Sequence, residues 1–207
     1  FPDTTRVSAT VDGYGSITGV TDELGFTTSY GHDAMGRVTQ ITYPAGDTVA
    51  WAPTTVSFVP VATAEYGLPA GHWRQTLSRG NYRKETYFDG LWRPVLEREY
   101  DNGAVTATQR FKGWQYDMDG QVTFAGYPRA TATSVASFTE GVTSTYDHLG
   151  RPTLVRQHSE LGNLDTVYAY LSGFETRVTN PRGQSTTTNF QTFDQPDTSA
   201  PVLIETP

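Results

Sequence analysis

A chain of 207 residues is long enough to bury a real core, and a modest hydrophobic fraction of 36% is offset by 13% aromatic residues, which bury the most area per side chain. A net charge of −7 with no basic window argues against a nucleic-acid face, and no apolar run approaches the roughly 18 residues of a membrane helix. The absence of Cys excludes disulfides, thiolate metal sites and a cysteine nucleophile.

Abundant Thr, 20 Gly and only two Met favour pleated, half-buried surfaces joined by tight turns, so the chain reads as all-β. Residues 37–43 alternate as a strand and stop at Pro44. Residues 47–68 carry Trp51, Phe58 and Tyr66 between Pro53 and Pro60, and read as an inserted, irregular excursion. Strands at 73–77 and 82–88 flank Arg79-Gly80-Asn81 as a hairpin. A strand at 97–100 runs into Asp101-Asn102-Gly103, from which 105–111 is expected to return as its partner. Residues 127–137 are small and polar and read as a long exposed loop. Further strands are expected at 141–146, 152–157, 166–171, 175–179 and 185–190. No window has a helical period, and no composition break divides the chain. Residues 1–207 are therefore expected to form one module: β-hairpins joined into one curved antiparallel sheet. With Phe1-Pro2-Asp3 at its start and no signal-like segment, the chain is expected to be a piece of a longer protein.

One motif recurs four times: aromatic-Asp-x-x-Gly-Arg-(Pro/Val)-(Thr/Val). The copies are His32-Asp33-Ala34-Met35-Gly36-Arg37, Phe88-Asp89-Gly90-Leu91-Trp92-Arg93, Tyr116-Asp117-Met118-Asp119-Gly120-Gln121 and Tyr146-Asp147-His148-Leu149-Gly150-Arg151. A weaker fifth copy starts at Phe193-Asp194. Asp33, Asp89, Asp117 and Asp147 are spaced by 56, 28 and 30 residues, which leaves room for a degenerate copy near residue 61, where no convincing motif stands. Half-motifs open at Asp22 and Asn180, each with Gly three residues on.

Every motif position has a turn-making reason. The Asp accepts backbone N–H groups of the following residues, and the Gly takes a positive φ without a Cβ clash. The leading aromatic closes the incoming strand and is placed to stack on its counterpart in the next repeat. The Arg opens the outgoing strand, from which it is expected to reach a carboxylate of a neighbouring turn. Trp92 stands where the other copies have Gly, so Gly90 is expected to supply the positive φ there. His148 occupies a slot filled by Ala, Gly and Met elsewhere, which marks Asp147-His148 as punctuation and not as a catalytic pair.

These residues resemble the YD repeat, also called the Rhs repeat, of bacterial polymorphic toxins, insecticidal toxin-complex components and teneurins. The resemblance touches most of residues 18–194. It implies hairpins joined into a sheet that spirals into a hollow shell, of which this chain would be a partial strip. The shell's closing region with its self-cleavage aspartates has no counterpart here, nor does a toxin domain. The resemblance further implies a non-enzymatic structural or encapsulating role in a large secreted or surface protein. Its partners would be the remainder of the parent chain and an enclosed effector. The structural turn residues would be Asp33, Gly36, Arg37, Phe88, Asp89, Arg93, Tyr116, Asp117, Gly120, Tyr146, Asp147, Gly150 and Arg151.

The residues leave other readings open. Trp51, Trp73, Trp92 and Trp114, if exposed, would stack on sugar rings as in a carbohydrate-binding module, whereas core packing is the plainer account. Open sheet edges would admit a partner protein or self-association. A glycosidase-like carboxylate pair would draw on Asp89, Glu97 and Glu99, though residue type alone singles them out. His32, His72, His148 and His158 show no zinc spacing. Asp117-Met118-Asp119-Gly120 imitates a calcium loop, but Gly126 stands where the closing Glu is needed. No catalytic residue, metal or cofactor is expected.

Overall fold

The computed structural model describes residues 6–46, 48–172, 174–192 and 197–207. They form sixteen antiparallel strands that follow one another in chain order, with almost no helix, so the chain is all-β. The polypeptide divides into two compact units, the first running to Lys112 and taking in Pro128–Ser134, the second made of Gly113–Tyr127 and the chain from Val135 onward.

The first unit is a meander of β1 (Ser8–Val11), β2 (Ile17–Thr21), β3 (Thr27–His32), β4 (Val38–Thr42), β5 (Thr54–Pro60), β6 (Trp73–Arg79), β7 (Tyr82–Phe88) and β8 (Pro94–Asp101). Each strand pairs with the next. Its core lies on one face of β7 and β8. Period-two alternation along β7 buries Glu85 and Tyr87, while Lys84 on the other face meets Glu97 and Glu99 at 2.7 and 3.6 Å. Val95 and Leu96 are consecutive yet both buried, because a β-bulge at Val95 breaks the alternation of β8. The connection from Val61 to His72 folds back over this face. The Val61 N–H donates to the His72 carbonyl and the Gly71 N–H to the Val61 carbonyl, and the Tyr66 ring lies 5.2 Å from Tyr87 and 5.6 Å from Phe111.

The second unit begins within β9 (Arg110–Tyr116) and continues through β10 (Val122–Gly126), β11 (Gly141–Tyr146), β12 (Pro152–Ser159), β13 (Gly162–Leu171), β14 (Glu175–Thr179), β15 (Ser185–Gln191) and β16 (Asp197–Glu205). These too pair in order. Phe138, 4% exposed, lies flat on the backbone where β9 and β10 each offer a glycine. A Cβ at Gly113 or Gly126 would stand 2.7 or 2.5 Å from its ring.

Three local expectations change. Residues 105–111 do not return as a strand: α1 (Val105–Thr108) makes one helical turn, with the Thr108 hydroxyl donating to the Ala104 carbonyl and accepting the Asp101 N–H, and β9 begins only at Arg110. A hydroxyl that satisfies two backbone groups stabilises this turn over the hairpin that Asn102-Gly103 alone would favour. Residues 48–68 are not irregular throughout, because β5 runs through their middle as a seven-residue strand paired on both sides. The stretch 127–137 is half-buried in places, with a bridge between Phe111 and Arg129 and a 3-10 turn at Val135–Ser137. At the position left for a degenerate copy, the Val61 to His72 connection joins β5 to β6 without an Asp turn.

Candidate functional site

Among the described residues, seven turns share one geometry, opened by Asp12, Asp22, Asp33, Asp89, Asp117, Asp147 and Asn180. The backbone N–H of each opening residue donates to the carbonyl four residues on at 2.9–3.0 Å, and the N–H three residues on donates back at 2.9–3.3 Å. The side-chain Oδ1 also accepts the N–H four residues on at 2.8–3.0 Å. At Asp12, Asp22, Asp33, Asp89, Asp147 and Asn180 it accepts the N–H two residues on as well, at 2.9 Å. One oxygen thus satisfies donors that a loop of this tightness would otherwise leave unpaired. Asp12-Gly13-Tyr14-Gly15-Ser16 was the copy that motif reading missed. It keeps Asp and Gly at the right spacing but has neither the preceding aromatic nor the following Arg.

The meander sorts these turns by edge. In the first unit, the turns at Asp12, Asp33 and Asp89 lie at one end of the strands and that at Asp22 at the other; in the second, Asp117 and Asp147 share an end and Asn180 lies opposite. Each turn of the larger set is followed by a bulge that leaves one residue unpaired: Thr18, Thr39, Val95, Thr123 and Thr153. The turns at Asp22 and Asn180 enter their strands with no slip. The Thr/Val that ends the motif is therefore the bulge residue, and it raises local twist at one edge only.

The Arg of the motif pairs with its own turn, not with a neighbouring one. Arg37, Arg93 and Arg151 bring Nε and Nη2 to Oδ2 of Asp33, Asp89 and Asp147 at 2.7–2.8 Å. Four residues of turn leave the guanidinium over its own Asp, closer than any adjacent hairpin. The Arg37 N–H and guanidinium hold the Asp33 carboxyl below its ordinary range, and the Arg151 guanidinium and N–H do the same for Asp147. Partial burial pushes Asp89 up, but the Arg93 N–H and guanidinium outweigh it and bring it below its ordinary range. Two of the leading aromatics reach partners outside the motif. The Tyr146 hydroxyl donates to the Val122 carbonyl of the preceding hairpin at 2.9 Å, and Phe88 meets Phe58 edge-on at 5.5 Å.

Gly36, Gly120 and Gly150 take the positive φ of the fourth turn position. In the Asp89 turn the task does not pass to Gly90: Trp92 itself adopts φ 64°. A non-glycine residue there costs about 1–3 kcal/mol, and ring contacts with Trp73 at 5.2 Å and Phe58 at 5.5 Å hold it. At Gly150, φ is 78° and a Cβ would stand 2.7 Å from Gln121 Nε2. Gly150→Val is expected to lower stability by about 1–3 kcal/mol. Chemical denaturation of the two forms measures this, and an unchanged midpoint would count against the turn assignment.

The three Trp of the first unit do not converge. Trp73 and Trp92 join Phe58 in one cluster, with Phe58 and Trp73 stacked at 4.9 Å and the Arg37 guanidinium 4.9 Å from the Phe58 ring. Trp51 lies 6.3 Å from Tyr43 at the opposite edge, beside Leu24, Phe26 and Arg79 around a cleft of about 550 Å³. Trp114 sits half-buried on β9. Of the candidate carboxylates, Asp89 is bound to Arg93, and Glu97 and Glu99 share Lys84. His148 is exposed at a turn tip, and the His158 carbonyl accepts the Tyr127 hydroxyl. His72 is buried, with Nδ1 2.8 Å from the Pro69 carbonyl. Asp117 Oδ1 is taken up by the Gln121 N–H, and Phe193 and Asp194 lie outside the described residues. A buried polar cluster escaped the sequence: Glu85 accepts from the Tyr87 and Tyr100 hydroxyls at 3.1 and 3.2 Å and faces Arg98 Nη1 at 3.5 Å. A charged residue in an alternating strand carries no signal of which face will be covered.

Repeated Asp-x-x-Gly turns joining successive antiparallel strands define a β-repeat protein. Residues 11–48, which hold the turns at Asp12, Asp22 and Asp33, match the RHS Repeat family. Over those residues the chain is similar to the YD, or RHS, repeat that its motif resembles. No curated protein matches it in sequence. Among solved structures it is similar to a chain in the crystal structure of TcdB2-TccC3-TEV, with a TM-score of 0.57 and 16% identity over 89% of this chain. The match spans 10% of that longer chain, and at this identity the likeness is one of fold.

Proposed function

We propose that this chain is a non-enzymatic structural segment of a YD-repeat shell, its residues acting as one module within a large secreted or surface toxin-type protein of bacterial origin. The carrying observation is the seven-fold recurrence of one turn with one hydrogen-bond set, which is the organisation of a scaffold and not of a single reactive centre. The RHS repeats and the fold shared with TcdB2-TccC3-TEV support the same reading. Its partners are the remainder of the parent chain and an enclosed effector segment, with self-association through the free edges of β1 and β16 when it stands alone. In the parent protein, protease should cut the effector segment more slowly, by about tenfold or more, than the same segment produced by itself. Equal cleavage rates would overturn encapsulation.

A further inference from the structure

Trp92 is the residue that turn-making leaves unexplained. The other six turns place Gly at its position, and glycine would remove the strain at no cost to the turn's backbone hydrogen bonds. Burial does not account for it either, since Trp92 is 55% exposed. What the strained conformation achieves is to hold the indole against Trp73 and Phe58, leaving much of its surface in solvent.

The surroundings form a run of clefts along one edge of the first unit. Trp73, Phe88, Asp89 and Trp92 line one of about 390 Å³. Asp33, Arg37, Phe58 and Gln75 line the next, of about 380 Å³, and the two draw on the same ring cluster. A third, of about 450 Å³, shares Asp33 with the second and adds the carboxylate of Asp12 with Tyr14, His32 and Met35. Each is of a size that holds a small ligand.

The chemistry of these walls selects among ligands. Around the first two clefts the Asp and Arg side chains are paired with each other, Asp33 with Arg37 and Asp89 with Arg93, so their rim presents donors and acceptors without net charge. β5, β6 and β7 are each hydrogen-bonded on both sides, so no ladder is open to an extended peptide. The exposed indole of Trp92, propped on Trp73 and Phe58 beside a neutral polar rim, suits a pyranose, whose C–H face covers that ring while its hydroxyls share the rim. We propose that the edge centred on Trp92, Trp73 and Phe58 binds a neutral glycan chain, with successive sugars in successive clefts. A segment that lines a shell is free to have this property as well.

The test titrates the 207-residue chain with cellohexaose, chitohexaose and mannohexaose, following heat and tryptophan fluorescence. At least one should bind, with a Kd between about 10 μM and about 5 mM, and shift the emission to the blue. Trp92→Gly should weaken that binding by about tenfold or more while keeping the thermal midpoint at or above that of the parent. Trp73→Ala should weaken it too and carries the same test if the first variant fails to fold. Trp51→Ala, at the opposite end of the strands of the first unit, should bind as the parent does. Absence of heat and spectral change with all three sugars up to about 10 mM, or undiminished binding by Trp92→Gly, overturns the proposal. So does saturation of the cluster by a proline-rich peptide where the sugars fail.

Discussion

Glu85→Ala should destabilise the first unit by about 3–5 kcal/mol, because it leaves the half-buried Arg98 guanidinium without its counter-charge. Glu85 is only 7% exposed and stands directly across from Arg98 in the β7–β8 ladder. It accepts the hydroxyls of Tyr87 and Tyr100, and the Arg98 guanidinium lies 4.5 Å from the Tyr100 ring and 5.5 Å from Phe111. Arg98 Nη2 keeps Gln109 as a partner at 2.9 Å, but Nε is buried without one. Removing the carboxylate takes the counter-charge from Arg98 and an acceptor from the Tyr87 and Tyr100 hydroxyls. The melting midpoint should fall by about 6–20 °C on the usual scaling for domains of this size. Glu85→Gln, which keeps an acceptor oxygen, should lose less. A double-mutant cycle with Arg98→Met isolates the pair. A loss below about 1 kcal/mol for Glu85→Ala would mean that water reaches the cluster.

Phe138→Ala should cost the second unit about 3–5 kcal/mol, the range for truncating a buried aromatic. The ring rests on the backbone at Gly113 and Gly126, so neither position offers a side chain that can move in to fill the space. Such a site collapses poorly, which places the cost toward the upper end. The reciprocal change, Gly126→Ala, should also destabilise, since its Cβ would stand 2.5 Å from the ring. Denaturant midpoints of the two variants and their combination measure this. If the double variant is no worse than Phe138→Ala alone, the two changes act on one contact, whereas simple additivity would argue against direct packing.

The turns were legible because their chemistry is local. Every hydrogen bond that defines the Asp33 or Asp147 turn lies within five consecutive residues, so Asp, Gly and their spacing suffice to place it. The motif's last position was visible as a preference for Thr or Val, but its role as a bulge residue emerged only from the pairing register. Where a partner from outside the turn intervened, local reasoning failed. Trp92 holds a positive φ because Phe58 and Trp73, distant in sequence, hold its ring. Residues 105–108 turn helical because Thr108 reaches Asp101 and Ala104.

From the sequence by itself came the all-β class, the repeat, the hairpin turns and the family resemblance, since each rests on periodicity two or on contacts within a few residues. Only the tertiary structure decided which face of β7 is buried, that the Val61 to His72 connection covers it, and that two of the four Trp share a cluster with Phe58. Those outcomes depend on residues far apart in the chain, and alternation along a strand specifies two faces without saying which one the rest of the molecule will cover.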